Sequence, residues 1–299
     1  MRVVTRVVRR AGREREGVVL FPPGQLRDRN ARAPLTTVFA GGVPHLRHDD
    51  MPAFRDRFAF AAGDYAAYRP HYPGALFDWL RLRAPSARRV WDCGTGSGQA
   101  ATALAGRFEQ VVATDPSVTQ LMHAERAGAT HYVASTAEAA ALRSGSVDLV
   151  TVAQALHWFD REAFFNEVRR VLAPGGLLAV WSYGIPTIEP AVDEVLRRFH
   201  DVELGAYWSP ERRLVEQGYE GIAFPFKEEP VPTFSMRATW TLPQLGGYVS
   251  TWSAVGKYRQ VTGADPIPAV MRALADRWGD PANTRVVEWP LTLRVGSPH

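Results

Sequence analysis

Val90-Trp91-Asp92-Cys93-Gly94-Thr95-Gly96-Ser97-Gly98-Gln99 is the stretch whose reading decides the fold. Two apolar residues of strand character run into an acid, and three glycines then follow at alternate positions. From Ala100 to Phe108 the chain reads as a helix, with Leu104 and Phe108 four apart on one face. The unit is therefore a strand, a tight glycine turn and a helix start. Because glycine has no Cβ, such a turn lets the backbone come close to a ligand. It also aims the unsatisfied N–H groups of a helix N-terminus at whatever sits there.

Working outward, Gln110 to Thr114 reads as a second strand that ends in Asp115. An acid about 20 residues after the glycines, at the tip of the next strand, is placed to accept both hydroxyls of a ribose. A pyrophosphate binder wants a further glycine at the place held by Gln99, and Asp92 would repel a pyrophosphate but suits an ammonium group. A ligand with a ribose at one end and a cationic amino acid at the other meets both demands, and S-adenosylmethionine is such a ligand. A purely structural glycine turn is the bland alternative, and Asp92 together with Asp115 disfavours it.

The pattern D-x-G-x-G-x-G followed by an acid closing the second strand resembles the class I S-adenosylmethionine-dependent methyltransferases. More narrowly it resembles the small-molecule type 11 group that includes trans-aconitate methyltransferase-like proteins. Tyr65 to Pro73, Gln154 to Phe159 and Leu172 to Gly176 carry further resemblance, so residues 58–182 are covered well. The C-terminal third is matched less specifically, through Phe224-Pro225-Phe226 and Thr251 to Val255. The resemblance implies a doubly wound α/β fold with a mostly parallel seven-stranded sheet, a helical N-terminal lid and a C-terminal substrate-side insertion. It also implies a cofactor site drawn from Tyr65, Arg69, Asp92, Gly94, Thr95, Gly96, Asp115, Pro116, Ala137, Glu138 and Gln154, with Tyr65 and Arg69 near the cofactor's carboxylate. An arginine suits a carboxylate because its planar fork binds both oxygens.

Composition bounds the rest. A chain of 299 residues can bury a full core as one large or two small domains. Its 46% hydrophobic and 22% charged residues are those of an ordinary globular chain, and no apolar run approaches the roughly 20 residues that span a bilayer. A pI of 9.4 suggests nucleic acid, yet the excess charge is local. Residues 1–50 carry ten Arg against five acids, which leaves the other 249 residues with a net charge of −1. The folded part therefore has no footprint for phosphate backbones. The lone Cys93 excludes a disulfide within the chain and fits a reducing, cytoplasmic compartment.

Taken in order, residues 1–50 read as a flexible, dispensable basic extension, with the methyltransferase domain in 51–299: a cofactor half over 58–182 and a substrate-side part over 183–299. A transit peptide is opposed by Glu14 and Glu16 and by the scarcity of Ser. Phe54 to Leu82 is expected to be helical in pieces, broken at Pro70 and Pro73, with Phe58, Phe60, Tyr65, Tyr68 and Tyr72 either lidding the site or only covering the sheet edge. A helix over 117–128 is expected, with Ser117 after Pro116 as its cap, then strands over 131–134 and 146–152. The loop Ser135 to Glu138 contacts adenine by resemblance, although Glu138 also reads as a helix-start acid. Residues 161–172 read as a helix stopped by Pro174-Gly175-Gly176, and Leu177 to Trp181 as the fifth strand. Beyond 185, Tyr207 to Pro225 reads as an inserted lobe, Val231 to Leu242 as a strand, 243–260 and 266–278 as helical, and Val286 to Val295 as a last, antiparallel strand.

Methyl transfer from a sulfonium is an in-line displacement from an excellent leaving group, so alignment and water exclusion dominate, and proximity alone supplies roughly 7–11 kcal/mol. A base is needed for a hydroxyl or ammonium acceptor and not for a carboxylate. His157 is the histidine that the motif brings to the crevice; it reads either as that base or as a ring bonded to backbone that shapes the loop. Trp158 is expected to pack, and Tyr183, Trp208 and Trp252 to wall the substrate pocket. A nicotinamide oxidoreductase would want the further glycine, and a nucleic-acid amino-methyltransferase would want Asn/Asp-Pro-Pro-aromatic where Gln154-Ala155-Leu156-His157 stands. A cofactor-binding regulator without catalysis is the remaining alternative. The expectation is an S-adenosylmethionine-dependent O-methylation of a small-molecule carboxylate or hydroxyl by a monomer or homodimer, with no metal, nucleic-acid or membrane partner.

Overall fold

The computed structural model describes residues 3–10, 13–20, 68–125 and 127–298. Strands β1 (Val3–Arg10) and β2 (Arg13–Leu20) pair antiparallel as a separate ribbon. The rest of the presumed extension, and with it the question of whether it is dispensable, lies outside the described residues, as do Phe58, Phe60 and Tyr65.

The main sheet is built as the alternation of elements requires. After α1 (Gly74–Arg83) come β3 (Arg89–Cys93), α2 (Gln99–Ala105), β4 (Gln110–Asp115), α3 (Val118–His123) and β5 (Thr130–Ala134). Then follow β6 (Val147–Ala153), α4 (Arg161–Val171) and β7 (Leu172–Tyr183). The C-terminal part adds α5 (Pro190–Arg198), α6 (Arg212–Glu216), β8 (Lys227–Glu228), β9 (Phe234–Trp240), α7 (Leu242–Ser250), α8 (Ser253–Thr262), α9 (Ile267–Trp278) and β10 (Arg285–Ser297). Strand order is β5-β4-β3-β6-β7-β10-β8, with β9 also on β10. The first five strands of that order run parallel and β10 runs antiparallel to β7. Connecting helices force the parallel pairs, since a crossover must return the chain to the same end.

Both faces of the sheet are covered. Val90, Leu149, Ala179 and Trp181 bury into one core with Leu76, Leu80 and Leu104, whereas Trp91, Val150, Leu178 and Val180 bury into the other with Phe164 and Val168. Neighbours in a strand thus serve opposite layers, which is why these strands read as nearly continuous apolar runs.

Three details differ from the sequence reading. The sheet has eight strands and not seven, because the two-residue β8 pairs with Gly296 and Ser297. Pro174-Gly175-Gly176 does not separate helix from strand: β7 begins directly at Leu172, and the segment bulges while the register steps from Val147↔Leu172 to Leu149↔Leu177. Gly175 has φ +76, and a Cβ on Gly176 would lie 2.9 Å from the Ala173 carbonyl, so the bulge needs both glycines. Finally, α3 stops at His123 and not near residue 128, although the Ser117 cap is made: its hydroxyl accepts from the Gln120 N–H at 3.3 Å. The chain beyond is turned by Gly128, at φ +48, against the Ala105 carbonyl.

Candidate active site

The glycine turn is held from below. Asp92, next to the end of β3, is fully buried; Thr95 Oγ1 donates to its Oδ2 at 2.5 Å and Thr151 Oγ1 to its Oδ1 at 2.8 Å. Burial pushes its carboxyl pKa up to about 6, against the lowering effect of the two hydroxyls. Asp92 therefore braces the turn from inside, with no carboxylate oxygen open to the crevice. Above it, Gly94, Gly96 and Gly98 all have positive φ, at 69°, 56° and 86°. A Cβ on Gly94 would meet Ala155 at 2.6 Å and one on Gly98 would collide with Tyr132, whereas one on Gly96 would meet nothing within 4 Å. The open side of the turn is at Gly96.

Asp115, at the end of β4, stands beside the turn. Its Oδ2 accepts from the Gly96 N–H at 2.9 Å and its Oδ1 from the Ser117 N–H at 2.8 Å. The carboxylate is thereby fixed beside the open face of the turn, and Thr95 N–H donates to the Thr114 carbonyl at 2.9 Å to lock turn and strand together. Pro116 follows, half-buried. The open cradle at Gly96 and the oriented acid at Asp115 fit a ribose-bearing ligand.

The loop after β5 corrects one reading. No helix starts at Glu138; its Oε1 accepts from the Asp160 N–H at 3.0 Å, and Asp160 itself caps α4. Glu138 thus ties its loop to the loop after β6. Ala137 is buried in the core under α4, so only its backbone could meet a ligand.

At the carboxyl end of β6, Gln154 adopts φ +55, a conformation that costs a non-glycine residue energy. Its side-chain amide holds it there: Nε2 donates to the Tyr183 carbonyl and Oε1 accepts from the Tyr183 N–H, both at 2.9 Å. The amide completes the ladder to β7 and turns the chain into Leu156–Trp158, a single 3-10 turn. That turn places His157 with Nδ1 2.9 Å from the Tyr219 hydroxyl. Burial first, and the Arg212 charge second, lower the His157 pKa to about 3. Burial likewise raises the Tyr219 phenol, whose oxygen also faces the backbone of His157 and Leu156.

These residues border an open cleft of about 670 Å³, counting the solvent at its mouth, lined by Arg69, Gln154, His157, Trp158, Tyr183 and residues of the C-terminal part. Arg69 donates to the Tyr183 hydroxyl at 3.2 Å and lies 5.2 Å over the Tyr248 ring. Tyr183, Trp208 and Trp252 wall the cleft as the sequence suggested. Trp158 does not pack inside: it is 38% exposed and stands at the cleft beside the His157 ring, 4.6 Å away. Sequence reasoning missed Ser209, Arg212, Tyr248, Thr251 and Ser253, all of which line the cleft, and the Tyr219 partner of His157. Trp208 and Arg212, four apart, carried a weak signal that a chain so rich in arginine conceals. Among the described residues no group of His, Cys, Asp and Glu could hold a metal ion, and no helix is long and apolar enough to cross a membrane.

Known proteins resemble this chain in sequence and in fold. The family described as a methyltransferase domain matches residues 91–180, from the glycine turn through most of β7. A candidate methyltransferase of Dictyostelium discoideum is 34% identical over 225 residues, which span 74% of this chain and 86% of that protein. An uncharacterised methyltransferase of Mycobacterium tuberculosis is 45% identical over 128 residues, 42% of this chain and 51% of that protein, so the match spans about half of that relative. Among solved structures, a candidate type II methyltransferase from Anaeromyxobacter dehalogenans has a TM-score of 0.73 at 42% identity, covering 78% of this chain and 100% of that chain.

Proposed function

Because the chain belongs to the class I S-adenosylmethionine-dependent methyltransferases, we propose that it methylates a carboxylate oxygen of a small-molecule acceptor bound in the cleft beside β6 and β7. Within the family we place it in the small-molecule group that includes trans-aconitate methyltransferase-like proteins. The observation that carries the choice of a carboxylate over a hydroxyl is His157. With its pKa near 3, the imidazole is a poor proton acceptor at neutral pH, and no Asp or Glu lines the cleft among the described residues. A carboxylate acceptor is already an anion and needs no base.

In this reading the donor, when bound, supplies an electrophilic methyl: the acceptor oxygen forms a C–O bond as the C–S bond breaks, leaving an ester and a neutral thioether with no proton to place. The chain's own residues bind and orient. Asp115 accepts the ribose hydroxyls, Gly94, Thr95 and Gly96 give the close backbone approach, and Arg69, with Tyr65, takes the cofactor's carboxylate. Asp92 favours a cationic amino group through the turn it braces. Pro116, Ala137 and Glu138 shape the adenine side, and Gln154 holds the loop at the junction of cofactor and acceptor. We assign the Tyr219 hydroxyl as the donor to His157 Nδ1, which leaves the ring proton on Nε2 and makes His157 a fixed hydrogen-bond donor. A buried lone thiol at Cys93 fits work in a reducing cytoplasm.

The test is to incubate the purified protein with methyl-labelled S-adenosylmethionine and a panel of metabolites containing acids, phenols and amines. Methyl esters release methanol in mild alkali, and ethers and N-methyl products do not. Alkali-labile label on acids alone is the expected result. Label that survives alkali, or no transfer alongside undetectable heat on titration with the cofactor or its demethylated product, would overturn the proposal.

A further inference from the structure

Among the described residues, the lining of the cleft has one arginine besides Arg69, and it is Arg212. Arg212 lies on α6, in the lobe between α5 and β8, beyond the matched residues 91–180. Its guanidinium stacks on the Trp208 ring with the carbon 4.8 Å from the ring centre, and its side chain is 21% exposed and lines the cleft. Stacking occupies a face of the plane and leaves the N–H edges for hydrogen bonds. The Nε is buried without a hydrogen-bond partner among the described residues. Its Nε is in ion-pair range of Glu216, at 3.7 Å, and that carboxylate is shared with His200 at 3.6 Å. An arginine that lines the cleft, stacked on one ring and paired with a carboxylate only at long range, where the described lining has no acid, is suited to an anion from outside. Five aromatic side chains of the described residues share the wall, Trp158, Tyr183, Trp208, Tyr248 and Trp252, beside the small polar Ser209, Thr251 and Ser253.

Resting on the methyl-transfer reading above for the identity of the site, we infer that Arg212 binds the carboxylate of an aromatic acid and is the residue that selects the acceptor. The Arg–Trp stack fixes the guanidinium so that a planar acid meets both an ion pair and flat ring walls. Specificity then lies in the lobe that the family match leaves out.

Binding tests this without turnover. In the presence of S-adenosylhomocysteine, benzoate, cinnamate and 1-naphthoate would be titrated calorimetrically against their own amides. The expected result is at least a tenfold preference for one or more acids over the matched amide. Arg212→Gln should abolish the preference and Arg212→Lys should keep part of it, while both variants bind S-adenosylhomocysteine as the parent does. Acids and amides that bind alike, or an acid preference that survives Arg212→Gln, would overturn the inference. Failure of the methyl-transfer reading looks different: acids would bind through Arg212 and yet receive no alkali-labile methyl.

Discussion

His157 separates the two ways of using a histidine at a methyl-transfer site. A ring whose conjugate acid has a pKa of about 3 is neutral across the physiological range, and its Nδ1 is engaged by Tyr219. Removal of a working base costs roughly 10²–10⁴-fold in rate. A donor that only fixes the acceptor should cost far less when replaced by another donor. His157→Gln should therefore retain kcat/KM within about tenfold of the parent on the preferred acid, and the pH–rate profiles of both should run parallel from pH 6 to 9. A hundredfold loss together with the disappearance of an ionisation in that range would show the ring to be the base. The identity of the residue was legible in the sequence, since Gln154 to Trp158 follow the fourth strand of the motif. Its protonation was not, because Tyr219 and Arg212 come from 55 or more positions further along the chain and set it by burial and charge.

Among the elements, the glycine turn shows what a sequence pattern states and what it leaves to packing. The alternation of glycines announces a turn with positive φ, and all three residues have it. It does not say which glycine faces a ligand and which faces the protein. Gly94 and Gly98 are pressed by Ala155 and Tyr132, and Gly96 is not. Alanine at Gly96 should cost about 1 kcal/mol, the strain of a left-handed alanine, while its methyl fills the cradle and weakens cofactor binding by at least tenfold. Alanine at Gly98 adds a collision with Tyr132 and should cost several kcal/mol in stability. Denaturant melts and cofactor calorimetry on the two variants check the contrast. Equal stability loss in both, or full cofactor affinity in Gly96→Ala, would contradict it. The same limit explains the Pro174-Gly175-Gly176 misreading: a stop signal and a bulge signal use the same residues, and only the β6 partner distinguishes them.

Across the whole molecule, Asp92 and His157 act on stability with opposite signs. The order of the cofactor-half strands could be read from their alternation with helices, and the shifted ionisations of Asp92 and His157 could not, because they arise chiefly from burial. Asp92 has its carboxyl raised from 3.8 to about 6 in the fold. The folded state then holds its proton more tightly than the unfolded chain, so Asp92 makes the protein less stable as pH rises from about 4 to about 6, by on the order of 3 kcal/mol in total. His157, lowered from 6.5 to about 3, does the reverse: the unfolded chain takes up the proton first, and stability is lost as pH falls below 6.5. His200, lowered mainly by burial, adds to that side. In the parent the slopes oppose each other between pH 4 and 6. In Asp92→Asn the carboxylate contribution is gone and the histidine slope stands alone, so stability should climb more steeply with pH in this window. The parent-minus-variant difference in unfolding free energy should fall by about 3 kcal/mol between pH 4 and 6 and stay level above. Urea melts at half-unit intervals would measure it, and a difference that is flat throughout would mean that Asp92 is not buried as a carboxylate beneath the turn.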